Sequence, residues 1–334
     1  MKVCLYLEAK WLVAQSGIGS ALKQQALCLS KVGVKTTEDP GDDYDILHLN
    51  TIGPYSFYLA QKAKAQGKKV IMHAHTLMED TKNSFTLTNQ AAGVLREYLS
   101  FYYSQADAVF CPSEYAKKLL ETEYGIKNPV YALSNGYKDN KFKFSKEARK
   151  KYREKYEFND FTCFGIGHVF VRKGVPTFVR MARKFKSPFV WYGRVYPEWL
   201  VSSSQIRDAL DNPPKNMRFL GYVDDILAAY CSGDLFFFPT NAETQGIVIL
   251  EAMACERPVL IRDIPVFDDW LTHGKDCLKA KNEKELHDYI ITLKEDEKLR
   301  AKLVRNGKKT IKAHTLDNVG KNFKKAYEEI LSTK

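Results

Sequence analysis

Glu243 and Glu251 lie eight positions apart in the run NAETQGIVILEAMA, residues 241–254. The apolar stretch LFFFP before it reads as a strand ending at Pro239, and Gly246 opens a helix whose second turn carries Glu251 inward with its apolar neighbours. One carboxylate then sits on a loop and the other within a helix. Both can face a ligand over the C-terminal edge of a sheet, where helix N-terminal N–H groups also suit phosphate. The plainer alternative is a capping acid at 243 and a surface acid at 251. Arg172 and Lys173, in GHVFVRKG at residues 167–174, precede a second helix. Cations at that position read either as a solvated helix start or as a clamp for phosphate.

His73 and His75 end the strand-like VIMHAH and, two apart, fall on one face. Two strand histidines can bind a metal, yet no third ligand is suggested nearby, and a polar strand end beside a cleft is the plainer reading. Asp43-Tyr44-Asp45 is formally a DxD metal pair. It precedes its strand, at the sheet edge opposite to the one where ligands bind, and reads as a surface turn. The seven cysteines are scattered without a CxxC pair and several sit in apolar runs, as reduced core residues of a cytosolic protein would. No metal site is expected.

Alternating elements must position these groups. Strands are expected at 3–7, 44–49, 70–75, 106–111 and 129–133, with helices at 20–31, 54–65, 88–104 and 113–124. The alternation restarts with strands at 161–167, 189–192, 217–222, 235–239 and 258–261 and helices at 175–185, 225–231 and 246–254. Helical patterns at 282–294, 296–312 and 316–331 close the chain, the last with Val319, Phe323, Tyr327 and Ile330 on one face. The pattern predicts an α/β protein of two doubly wound, Rossmann-like domains facing across a cleft, the default site. Residues 1–140 form the first domain, with 315–334 expected to pack back on it, and residues 159–314 the second. The charged stretch 141–158 lacks a useful apolar stripe and reads as the linker.

Further short motifs fall at the strand-to-helix junctions. The 243–251 run, followed by Pro258-Val259, resembles the E-x7-E motif of retaining family 4 glycosyltransferases of the GT-B fold. Ser16-Gly17-Ile18-Gly19 resembles that family's N-terminal glycine loop and Ser134-Asn135-Gly136 its closing NG turn. Residues 167–174 resemble its GR-x4-KG loop, with His168 where the family usually has Arg, a phosphate contact that Arg172 or Arg194 would then supply. The resemblance spans essentially the whole chain. It implies a nucleotide-sugar donor, a UDP-hexose, bound mainly by the second domain. Glu251 would hold the ribose hydroxyls, Glu243 the hydroxyls of the transferred sugar, and His75 the donor sugar near the reacting centre. Gly17, Gly19, Arg172, Lys173 and Gly246 complete the donor site. UDP-sugar is a co-substrate, and no cofactor is implied. Glu79 and Asp80 either contact the acceptor or cap the next element.

Within that family, the set SGIG, HAHT followed by ED, and ETQGIVILEAMA is most similar to bacterial synthases that add a second hexose to monoglucosyl-diacylglycerol. A family 4 enzyme acting on a soluble or polysaccharide acceptor is the alternative. The net charge of +11 favours an anionic partner, and no basic recognition helix or aromatic RNA platform is present to make it nucleic acid. No apolar run approaches the roughly 18 residues of a spanning helix, and no signal peptide is visible. The expectation is a cytoplasmic enzyme, peripheral on the inner face of the cell membrane. Basic and aromatic residues together, Phe57 and Tyr58 with Lys62 and Lys64, then Leu99, Phe101, Tyr102 and Tyr103, and Tyr115 with Lys117 and Lys118, suit docking to an anionic leaflet. The basic stretch 138–155 is the competing patch.

Overall fold

The computed structural model describes residues 1–13, 17–81, 92–197, 201 and 203–333. The chain divides into two compact bodies, the first built on Met1–Met78, Ala91–Lys138 and Ala313–Lys334, the second on Asp139–Lys312.

In the first body, β1 (Lys2–Tyr6), β2 (Lys35–Thr37), β3 (Ile46–Leu49), β4 (Lys69–His73), β5 (Ala108–Cys111) and β6 (Val130–Ala132) make one sheet in the order β2-β1-β3-β4-β5-β6. In the second, β7 (Cys163–Ile166), β8 (Phe189–Tyr192), β9 (Met217–Gly221), β10 (Leu235–Phe238), β11 (Val259–Arg262) and β12 (Leu278–Ala280) are ordered β12-β11-β10-β7-β8-β9. Every pairing in both sheets is parallel. Parallel sheets are covered on both faces, which is why central strands such as ILHL, AVFC and LFFF are buried along their whole length. The strand order reverses beside β1 and beside β7, and the C-terminal strand ends there are where α/β folds bind ligands.

The helix Leu316–Ser332 packs on the helix Gly17–Lys31 of the first body. Its buried stripe of Leu316, Val319, Phe323, Tyr327 and Ile330 joins the same core as Val3, Leu5, Ile46 and Ile71.

The stretch expected to be a linker, 141–158, is a folded part of the second body. Lys146–Tyr156 is a helix capped by Ser145, whose hydroxyl accepts from the Ala148 N–H at 3.1 Å. It packs on the helix Ile226–Ser232, with Tyr152 buried and two arginines as polar anchors. Arg149 donates to the terminal carbonyls of Cys231, Ser232 and Gly233 at 2.9–3.2 Å and to Asp234 at 2.6 Å, and Arg153 reaches Asp234 at 3.0 Å. A guanidinium thus satisfies the carbonyls that a helix C-terminus leaves open.

Candidate active site

The loop after β10 and the loop after β7 are sewn together. Asn241 N–H donates to the Arg172 carbonyl at 2.7 Å, the Asn241 amide donates to the Val171 carbonyl at 3.0 Å, and the Arg172 guanidinium donates to the Ala242 carbonyl at 3.0 Å. Gly174 caps the helix Val175–Ala182 in the left-handed region, φ +77°. A Cβ there would stand 2.0 Å from the Pro239 carbonyl oxygen, so only glycine lets the two loops approach this closely.

The approach brings the first predicted carboxylate to the predicted cations. Glu243 is buried, and its Oε1 accepts from Lys173 Nζ at 2.5 Å and from the Thr240 hydroxyl at 3.1 Å, with the Arg172 guanidinium 3.8 Å away. Lys173 Nζ also lies over the Phe238 ring, 5.5 Å from its centroid. Gly246, at φ +84°, caps the helix Ile247–Ala254 with no side-chain cap. Glu251, one turn on, is half-buried and held differently: the buried Tyr230 hydroxyl donates to its Oε2 at 2.6 Å. Burial, and then the Glu251 charge, push the Tyr230 phenol well above its ordinary value, so it stays a donor.

His168 lies against this cationic loop. Its ring stacks on Tyr196 at 5.2 Å and on Phe170 at 5.7 Å, while Arg194 sits 5.1 Å over Tyr196. Burial, then Lys173, Arg172 and Arg194, lower its imidazole to about 4, so it is neutral at pH 7. It cannot replace the positive charge of an arginine.

In the first body, β4 stops at His73, and His75 lies beyond it with its ring stacked on that of His73, 3.9 Å between centroids and 8° between planes. His75 Nε2 meets Asn50 Oδ1 at 2.8 Å, which makes it the donor there. Burial lowers the His75 imidazole to about 3.

The other expected site residues are placed on their elements as follows. The helix after β1 already begins at Gly17, so Gly17 and Gly19 lie in its first turns and not in a loop before it; Ser16 falls outside the described residues. Glu79 is half-buried on the short helix Met78–Thr81; the side chain of Asp80 lies outside the described residues. Tyr115 and Lys117 are half-buried and Lys118 exposed on the helix Glu114–Thr122, whose N-cap is Ser113. Asp43 pairs with Lys68 at 2.9 Å, and Asp45 accepts from the Lys2 N–H at 2.7 Å, ahead of β3. Among the described residues, no group of three or more His, Cys, Asp or Glu side chains is placed to hold a metal ion. Sequence reasoning missed Tyr230, Thr240, Gln25 and Asn50. Only Asn50 carries a sequence signal, a polar residue directly after an apolar strand.

Family models match both halves of the chain: the one described as Glycosyltransferase Family 4 covers residues 35–141, and the one described as Glycosyl transferases group 1 covers residues 148–310. The chain is also 35% identical, over the full length of both proteins, to the processive diacylglycerol alpha-glucosyltransferase of Acholeplasma laidlawii. The chain belongs to the family 4 glycosyltransferases. This transferase is 25% identical to the alpha-galactosylglucosyldiacylglycerol synthase of Streptococcus pneumoniae, over 76% of its own length and 71% of the relative's. Its fold is GT-B. It superposes on HepE of Anabaena, solved in complex with UDP and glucose, with a TM-score of 0.79 over 98% of this chain and 100% of that one, at 17% identity.

Proposed function

We propose that this glycosyltransferase moves a glucose or galactose from a UDP-sugar onto monoglucosyl-diacylglycerol, with retention of the anomeric configuration and without a metal, at the face of an anionic membrane. The observation that carries the reading is the end-to-end likeness to a diacylglycerol alpha-glucosyltransferase, joined in the second body to the Lys173–Glu243 pair. The UDP and glucose bound to Anabaena HepE support the choice of donor.

In this reading Lys173 and Arg172 answer the charge that collects on the diphosphate as the glycosidic bond breaks, and the N-terminal amides of the helices after Gly174 and Gly246 assist them. Glu243 keeps one oxygen on Lys173 and accepts from the sugar hydroxyls with its remaining lone pairs, of which a carboxylate has about four. Glu251, oriented by Tyr230, takes the ribose hydroxyls. From the first body, His75 serves the transferred sugar as a neutral imidazole.

The acceptor side rests on surface chemistry. Leu99, Tyr102 and Tyr103 belong to the core, whereas Tyr55, Tyr58 and Phe101 are 50–56% exposed. The helices that carry them adjoin through Phe57, which lies 5.7 Å from Phe101. Exposed rings beside Lys62 and Lys64 suit an interfacial enzyme. Among the described residues, no helix is long and apolar enough to cross a membrane.

Radiolabelled UDP-glucose or UDP-galactose, incubated with monoglucosyl-diacylglycerol in phosphatidylglycerol vesicles and EDTA, should yield a lipid-soluble product with an α linkage. Glu243→Gln should remove nearly all of it while the folded protein persists. Label in water-soluble product only, a β linkage, or full activity of Glu243→Gln would each sink part of the reading.

A further inference from the structure

A chain of uncharged polar side chains runs from the C-terminal helix to His75. The Tyr327 hydroxyl lies 2.6 Å from His48 Nδ1, His48 Nε2 lies 3.1 Å from His73 Nδ1, and the His73 ring backs the His75 ring. Gln25 Nε2 also approaches His73 Nδ1, at 3.1 Å. Tyr327, His48, His73 and Gln25 are all at least 98% buried. We infer that Tyr327 is a positioning residue for His75, acting through His48 and His73. The inference rests on the sugar-facing role proposed for His75.

The protons explain how the chain transmits. The Gln25 amide donates to His73 Nδ1, so that nitrogen is an acceptor and His48 Nε2 must carry the proton that faces it. His48 Nδ1 is then bare and takes its bond from the Tyr327 hydroxyl. Each tautomer is set by the previous partner. Burial holds all three imidazoles neutral: His48 and His75 are lowered to about 3, and His73 well below its ordinary value. The chain therefore passes on ring orientation, not charge. Without the phenolic oxygen, His48 is free to move its proton to Nδ1. It then turns a bare Nε2 toward the bare Nδ1 of His73, and His73 can follow only by moving its own proton to Nδ1 while the Gln25 amide turns its Oε1 to accept from it, a second arrangement that competes with the first. The His73 ring loses its single orientation, and His75 loses the surface it is stacked on. Among the described residues His73 Nε2 has no hydrogen-bond partner, so none of them restores the alignment from its far edge.

The test compares Tyr327→Phe with Val319→Ala in the full chain. Val319 is buried on the same helix outside the chain of hydrogen bonds, so its truncation reports packing alone. Tyr327→Phe should lower kcat on the order of tenfold at unchanged donor KM, as misplacement of a reacting group does. The ¹⁵N shifts of His48 and His73 should move from a single tautomer to a mixture. Val319→Ala should lower Tm and leave kcat and the ¹⁵N shifts alone. If Tyr327→Phe behaves as Val319→Ala does while His75→Ala is inactive, the positioning role falls and the His75 assignment stands. If His75→Ala keeps its turnover, the His75 assignment falls and the inference falls with it, whatever the ¹⁵N shifts show.

Discussion

At the C-terminal ends of β3 and β4 the first body gathers His48, His73, His75, Asn50 and Gln25, all joined by neutral hydrogen bonds or ring contacts. At the ends of β7 and β10 the second body gathers Lys173, Arg172 and Glu243, an ionic cluster. Both sets sit at the ends of buried strands of an all-parallel sheet. The difference matches what each is proposed to meet. A neutral imidazole can orient an uncharged hydroxyl without imposing a field, whereas a diphosphate that gains charge in the transition state needs cations already in place. The fold supplies the edge, and the side chains decide the charge it presents.

Acid should separate the two sets most strongly. The folded His48 and His75 titrate near 3 and the unfolded side chains near 6.5, so the unfolded state binds protons first as pH falls. Their contribution is complete above about pH 6.5 and is lost progressively down to about pH 3, at up to about 1.4 kcal/mol per pH unit for each imidazole. His73 adds in the same direction. Urea midpoints between pH 6.5 and 4.5 should fall steeply, and replacing His48 with Gln should flatten the curve. A flat curve in the parent would mean that these rings are solvated.

Next in size is the ionic cluster. Lys173→Ala should weaken UDP binding by roughly 1.5 to 3 kcal/mol, the worth of a charge-assisted hydrogen bond, read by titration calorimetry. Asn50→Ala should leave UDP affinity in place, because no charge is removed. Equal losses in the two variants would erase the distinction between the sets.

Tyr230→Phe should have a smaller effect. It strips Glu251 of one hydrogen bond and should lower UDP affinity by about 1 kcal/mol, with UMP, which keeps the ribose, affected as much as UDP. Smallest of all, replacing Lys150 and Lys151 with Gln should shift stability by less than about 1 kcal/mol, since their partners Glu154 and Asp225 are exposed pairs at 3.8 and 3.4 Å. Vesicle binding should also survive this change if the exposed aromatic helices of the first body make the contact.

The sequence carried the central strands because LFFF, AVFC and FVWY are apolar throughout, and a buried parallel strand must be. It did not carry the edge strands β2 and β12: KTT and LKA are too short to show a period. The helix Lys146–Tyr156 was illegible for a different reason. Its one buried side chain is Tyr152, and its anchors are Arg149 and Arg153 on Asp234 and on helix-end carbonyls, contacts that hydrophobic periodicity does not register. At the site, the spacing of Glu243 and Glu251 was visible. Their unlike partners were not, because Lys173 reaches Glu243 from the loop after β7 and Tyr230 reaches Glu251 from the helix Ile226–Ser232.

The order in which the chain is made gives Tyr327 one more consequence. The core that surrounds His48 and His73 also takes in the helix Leu316–Ser332, and all of Asp139–Lys312 is synthesised before that helix appears. At 5–20 residues per second the ribosome needs roughly 10 to 40 s to cover that distance. Throughout that interval the nascent first body lacks the helix that covers this apolar face and the hydroxyl that meets His48. The second body can close meanwhile, so the half made first is the half completed last.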